Sequence, residues 1–141
     1  MYKISDVINF VEELFPLEAA LGFDNPGLLV GNRDDKLTGV LLTLDCTSQS
    51  IKEAINKGCN LIISHHPLIF GGINCVSNDT STGRIITSLI KNGISLYACH
   101  TQLDMTDEFG NLEIANAIGA KNPSKLEGAS LGVVFDLDKK D

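Results

Sequence analysis

Apolar residues recur along this chain in two periods, and the alternation between the two predicts the fold. Ile4, Val7, Ile8, Val11 and Leu14 fall three and four apart, which sets them on one face of a helix over residues 4–15. Ser5 or Asp6 is placed to cap its start, and Pro16 follows its end. "TGVLLTLDC" at 38–46 is a short continuous apolar run, the signature of a buried strand. Thr47 then opens a helix through Ile51, Ala54 and Ile55, which Gly58 stops. "NLIIS" at 60–64 is a second buried strand, "TGRIITSLIKNG" at 82–93 a helix and "ISLYAC" at 94–99 a third strand. "GNLEIANAIGA" at 110–120 is a last helix. Shorter strands are expected at 28–30 and within 129–137, and residues 67–81, rich in Gly, Asn and Ser, read as irregular.

Strands alternating with capped helices predict an α/β fold, a mainly parallel sheet flanked by helices. Residues 1–120 read as one α/β domain. Pro, Lys and Gly in "AKNPSKLEG" (120–128) mark a domain exit, so that 121–141 form a linker and the start of a second segment.

Composition narrows the function classes. The chain has 141 residues, 43% of them hydrophobic and 21% charged, and a formal net charge of -7. A chain of this size buries a core without disulfide staples. The acidic balance argues against a nucleic-acid partner, which would need clustered Lys and Arg, and is compatible with a site for cations. Cys46, Cys59, Cys75 and Cys99 are widely spaced, with no Cys-x-x-Cys pair, and read as reduced thiols of a cytoplasmic protein. Asp6, Glu12 and Glu13 interrupt the apolar run that a secretory leader would need, and no run is long enough for a membrane helix.

The candidate chemistry lies in the three histidines. His65, His66 and His100 all follow directly on expected strands, and open α/β sheets build their sites beyond the carboxyl ends of strands. If strands 60–64 and 94–99 are neighbours, the three imidazoles meet. Asp104, one helical turn after His100, adds a carboxylate. Three imidazoles and a carboxylate suit Zn, Fe or Mn. Side chains alternate in an extended segment, so His65 and His66 are expected to diverge towards different ions of a dinuclear pair, with Pro67 keeping His66 extended. Asp24 and Asn25 either orient ligands or cap the turn before Gly27. Asp45 either accepts an N–H from a ligand histidine or caps the helix that starts at Thr47. Thr82 and Arg84 at the start of a helix form a candidate anion site, with ordinary capping as the plainer reading. A Cys99–His100 pair is poorly placed for nucleophilic chemistry, since adjacent strand residues face opposite ways. Two ions want about six protein contacts, more than these four residues supply.

"GFDNPGLLVG", "LIISHHPLIF" and "YACHTQLD", in this order, resemble the NIF-three-like dinuclear-metal proteins, the family of GTP cyclohydrolase I type 2 homologues. The resemblance runs from residue 1 to about 120, with Phe23 where the family usually has Trp. It implies that His65, His66, His100 and Asp104 are ligands to two divalent metal ions. It also implies a homo-oligomer, typically a hexamer, and a small-molecule nucleotide substrate. Family members supply a further His and Glu from a C-terminal segment, so the chain is expected to be the N-terminal half of the family fold and inactive alone.

Two functions from different classes follow. The first is a metal-dependent, cyclohydrolase-like hydrolase, its ions polarising a C=O, C=N or P–O group and acidifying water. The second is a non-enzymatic metal-binding or interaction module. A metallophosphoesterase-like nuclease would want more Asp and Asn ligands and a basic groove.

Overall fold

The computed structural model describes residues 1–106, 110–129 and 131–138. Four strands form the central sheet: β1 (Gly27–Val30), β2 (Val40–Thr43), β3 (Leu61–Ser64) and β4 (Ser95–Ala98). Their order is β1-β4-β3-β2. β2, β3 and β4 run parallel, and β1 pairs antiparallel with β4 on the outer edge. The expected adjacency of the second and third buried strands is met, with Leu61 opposite Ser95 and Ser64 opposite Ala98. The expected mixed α/β architecture is therefore present.

Helices cover both faces. α2 (Ser48–Lys57) and α3 (Ser81–Lys91) lie on one face. Their Ile51, Ala54, Ile86 and Leu89 pack with Ile62, Leu96 and Val30 of the sheet. On the other face α1 (Ile4–Leu14) buries Ile4 and Ile8 against Leu61 and Tyr97. Period decides which strand residue meets which helix: Leu61 faces α1 and its neighbour Ile62 faces the α2–α3 layer. The strand β4, central in the sheet, is buried at every position.

Helix ends follow local chemistry, with one correction. The N-cap of α1 is Lys3, not Ser5 or Asp6; Asp6 takes the third helical position and accepts the Lys3 backbone N–H at 2.8 Å. A carboxylate there both satisfies that donor and complements the helix dipole. Thr47 caps α2 through Ser50 N–H as expected, and Gly58 ends it in the left-handed region at φ 68°. Gly31 (φ 110°) lets the chain leave β1 directly over Ser95, where a Cβ would collide with that side chain.

β2 departs from the expected buried strand. It spans only four residues and lies on the sheet edge, with Val40, Leu42 and, just beyond it, Leu44 exposed. An apolar run signals burial, but edge position is set by strand order, which local sequence does not encode.

After β4 come α4 (Thr101–Asp104) and α5 (Asn111–Ala117). Within the stretch read as a domain exit, β5 (Lys121–Lys125) pairs antiparallel with β6 (Val133–Asp136). Every residue of β5 is exposed, so the hairpin owes its pairing to backbone bonds more than to packing. Among the described residues no helix is long and apolar enough to cross a membrane.

Candidate metal centre

β3 and β4 end level with one another, and the chain beyond each carries the histidines. Cys99 N–H donates to the Ser64 carbonyl at 2.8 Å, which locks the two exits together. His65, His66 and His100 each offer one ring nitrogen, and these three atoms lie within 4.8 Å of one another. Ring centroids are separated by 5.1 Å (His65–His66), 5.2 Å (His65–His100) and 5.8 Å (His66–His100). His65 and His66 therefore face one shared space and do not diverge to opposite sides. The reason is local: β3 ends at Ser64 and both histidines occupy a bend, where strand alternation no longer applies. That bend is held by His65 N–H to Thr43 O, His66 N–H to Leu44 O and the Ser64 hydroxyl donating to His66 O.

Each imidazole has its Nδ1 engaged by an oxygen. His65 Nδ1 lies 2.9 Å from the Cys99 carbonyl. His66 Nδ1 lies 2.8 Å from Asp45 Oδ1, and His100 Nδ1 lies 2.8 Å from Asp24 Oδ1. A carbonyl and a carboxylate only accept, so the proton of each neutral ring sits on Nδ1 and the Nε2 lone pair is left for the shared space. Metal-ligating histidines are held in this way, by an oxygen on the other ring nitrogen. The donor set thus fits a divalent ion.

Asp104, at the end of α4, approaches His65, its Oδ1 3.6 Å from Nε2. It also lines a cavity of about 270 Å³ together with Met105, Leu112, Pro123 and Val133.

Asp24 and Asp45 differ in setting. Asp45 is half-exposed, and Thr47 caps α2, so Asp45 serves His66 and not the helix. The Asp24 side chain is fully buried. Besides His100 it accepts from Thr101 N–H, the Thr101 hydroxyl and Asn25 N–H. Burial would raise its pKa, but the bonds from Thr101, His100 and Asn25 outweigh it and bring the carboxyl down to about 2.

The remaining candidates lie apart from this cluster. Thr80 caps α3 through Gly83 N–H, and the Arg84 guanidinium donates to Asn78 O at 2.7 Å, so the helix start near Thr82 is satisfied from within the chain. Cys99 is buried, and burial together with the Asp104 charge pushes its thiol up to about 11. A thiol held neutral is a poor nucleophile, which agrees with the weak Cys–His reading. Thr101 was missed as a partner of the site, although it sits inside the "HTQLD" stretch. The Cys99 carbonyl was missed as well, and a backbone acceptor has no residue type to announce it.

The family model for Duf34/NIF3 (NGG1p interacting factor 3) matches residues 2–141. The chain belongs to the Duf34/NIF3 family. A Clostridium perfringens protein named GTP cyclohydrolase 1 type 2 homolog is 41% identical over 145 aligned positions, which cover 98% of this chain and 55% of that protein. The solved structure of Staphylococcus aureus protein SA1388 superposes with a TM-score of 0.83 at 44% identity, covering 87% of this chain and 40% of that one. A Bacillus cereus protein related to NIF3 gives 0.84 at 35% identity, covering 88% and 34%. This NIF3 chain spans about half the length, or less, of the relatives it matches.

Proposed function

We propose that this NIF3 chain contributes His65, His66, His100 and Asp104 to a centre for two divalent metal ions, in a protein that performs metal-dependent hydrolysis. One observation carries the reading: one ring nitrogen from each of the three histidines comes within 4.8 Å of the others while each Nδ1 is held by an oxygen. A chance cluster of surface histidines would not have the same ring nitrogen met by an oxygen three times over. The side chains of Asp24, Asp45 and Asp104 surround the imidazoles with carboxylates, which favours a cation in their midst. Zn, Fe and Mn are the ions that such nitrogen and oxygen donors prefer.

When bound, such ions supply Lewis acidity towards a C=O, C=N or P–O group and acidify water. The chain's own residues hold and orient them. His65, His66 and His100 present neutral nitrogens, and Asp104 supplies negative charge beside His65. Coordination that these four leave open is filled by water or by groups outside this chain. A nucleotide, the substrate class of which the relatives' name speaks, would meet the exposed ring of Phe70, edge-on to His100 at a centroid distance of 6.4 Å.

Elemental analysis of the protein loaded with zinc or manganese at neutral pH tests the reading. Two ions per chain are expected, falling to one or none in Asp104→Ala. No bound metal in the wild type would refute it, and unchanged stoichiometry in the variant would remove Asp104 from the ligand set.

The second reading, a metal-binding module without catalysis, shares the same centre. It is favoured if two ions bind and no C–N or P–O substrate is turned over by the full-length protein.

We also propose that the protein self-assembles. Val40, Leu42 and Leu44 expose apolar surface along the free edge strand β2, which monomers usually keep covered. Sedimentation of Leu42→Lys should shift towards monomer relative to wild type; a wild-type monomer at high concentration would contradict this.

A further inference from the structure

The three imidazoles are not equivalent, and the difference traces to one carboxylate. We infer that Asp24 is the positioning residue of the centre: it fixes the tautomer and orientation of His100 and seats the helix that presents Asp104.

The geometry links both tasks. Asp24 Oδ1 accepts from His100 Nδ1 at 2.8 Å, which orients the ring directly. Asp24 Oδ2 accepts from Thr101 N–H at 3.0 Å and from the Thr101 hydroxyl. Thr101 is the first residue of α4, and Asp104 is the last. The first N–H groups of a helix have no partner within it. His100, at the N-cap of α4, provides no side-chain cap, so Asp24 reaches in from a distant loop to satisfy that end. One buried carboxylate therefore touches both the first ligand of the "HTQLD" stretch and the turn that carries the second.

Asp24 is itself held from several sides. Its own N–H donates to Leu21 O, and Asn25 N–H donates to Oδ1. The Thr101 hydroxyl accepts from Leu21 N–H at 2.9 Å, closing a ring of bonds between the loop and α4. Asn25 Nδ2 donates to Ile69 O at 2.8 Å, tying this loop to the segment that follows His65 and His66. Gln102, fully buried, accepts from His100 N–H and fixes the backbone of the same ligand. Among the described residues the half-exposed Asp45 side chain accepts from His66 alone, and His65 Nδ1 relies on a backbone carbonyl. His100 is thus the fixed reference of the centre, against which the other two imidazoles and Asp104 are arranged.

This inference rests on the metal reading only in part, because the hydrogen bond and tautomer exist without an ion. Its first test is therefore made on the metal-free protein, at a pH of about 8 where unperturbed imidazoles are neutral. Long-range proton–nitrogen NMR should show His100 with its proton on Nδ1 in the wild type, and a mixture of tautomers in Asp24→Asn. A wild-type His100 protonated on Nε2, or averaging as a free imidazole does, overturns the inference even if Asp24→Asn fails to fold. The second test is zinc titration. Asp24→Asn should bind zinc about 10- to 100-fold more weakly, the usual loss when a ligand's hydrogen-bond partner is removed. Ile51→Val loosens the buried core beneath α2, away from the centre, and should leave zinc affinity within about threefold. Equal losses in both variants would show general loosening and overturn the positioning role. Failure of the wild type to bind zinc at all would refute the metal reading, while the tautomer result still decides this one.

Discussion

Two carboxylates meet two imidazoles at 2.8 Å, and the surroundings of the pairs are opposite. Asp24 is fully buried and its partner His100 is 19% exposed; Asp45 is 56% exposed and His66 47%. Equal distance does not mean equal worth. Water competes for Asp45 and screens it, so that pair orients His66 weakly and contributes little to stability. Asp24 has given up water entirely and depends on four protein donors. Removing any member of that set leaves buried groups without partners. The buried half of the site is built as part of the fold, and the exposed half is laid on its surface.

The largest effect should come from breaking the buried half. Asp24→Ala leaves Thr101 N–H, Asn25 N–H and His100 Nδ1 without their acceptor, and should cost roughly 3 kcal/mol or more by urea denaturation. A loss below about 1 kcal/mol would place Asp24 in the same class as Asp45.

A middling effect sharpens the point that burial alone does not decide an acid's state. Asp24 is buried and ionised because donors surround it. Cys46 is buried and neutral: burial pushes its thiol from 9.0 up to about 11, against a lowering bond from Ser50. Tyr97 is raised further, by burial first, then by the Glu12 charge. In both the fold favours the protonated form. Their stabilisation is whole below the unfolded-state values of 9.0 and 10.0 and is lost as pH rises above them. Cys46 alone accounts for about 2 kcal/mol between pH 9 and 11. Urea midpoints should fall over that range, and less steeply in Cys46→Ala. A flat profile would mean that these groups are solvated.

The smallest effect belongs to the exposed pair. Asp45→Ala should change stability by less than about 1 kcal/mol, with α2 unaffected because Thr47 caps it. A larger loss would show that Asp45 is structural.

The same contrast explains what the sequence made legible. Strands 60–64 and 94–99 announced themselves as apolar runs, and helices by their period and caps, so the three histidines could be brought together on the one condition that these strands are neighbours, which they are. Topology escaped where local signals are degenerate: "VLLT" reads as core, yet β2 is an edge. "KNPSK" reads as a linker, yet its backbone pairs with β6. His65 and His66 do not point to opposite sides because the strand stops at Ser64, one residue before the pair, although nitrogens within 4.8 Å still suit two different ions about 3.5–4 Å apart. Asp24 had two readings with equal chemistry, since a carboxylate in a turn caps or orients with the same atoms. The structure has Asp24 doing both, accepting from Asn25 N–H in its own turn and meeting His100, a residue 76 positions away.

Anomalous diffraction tests most directly whether these imidazoles form a metal site. Crystals of the protein grown at neutral pH with zinc should give a peak at the zinc edge among His65, His66 and His100, and a second beside Asp104. Both should weaken in His100→Ala. A peak beside Cys46 or Cys99 instead, or none at the imidazoles with saturating zinc, would contradict the account.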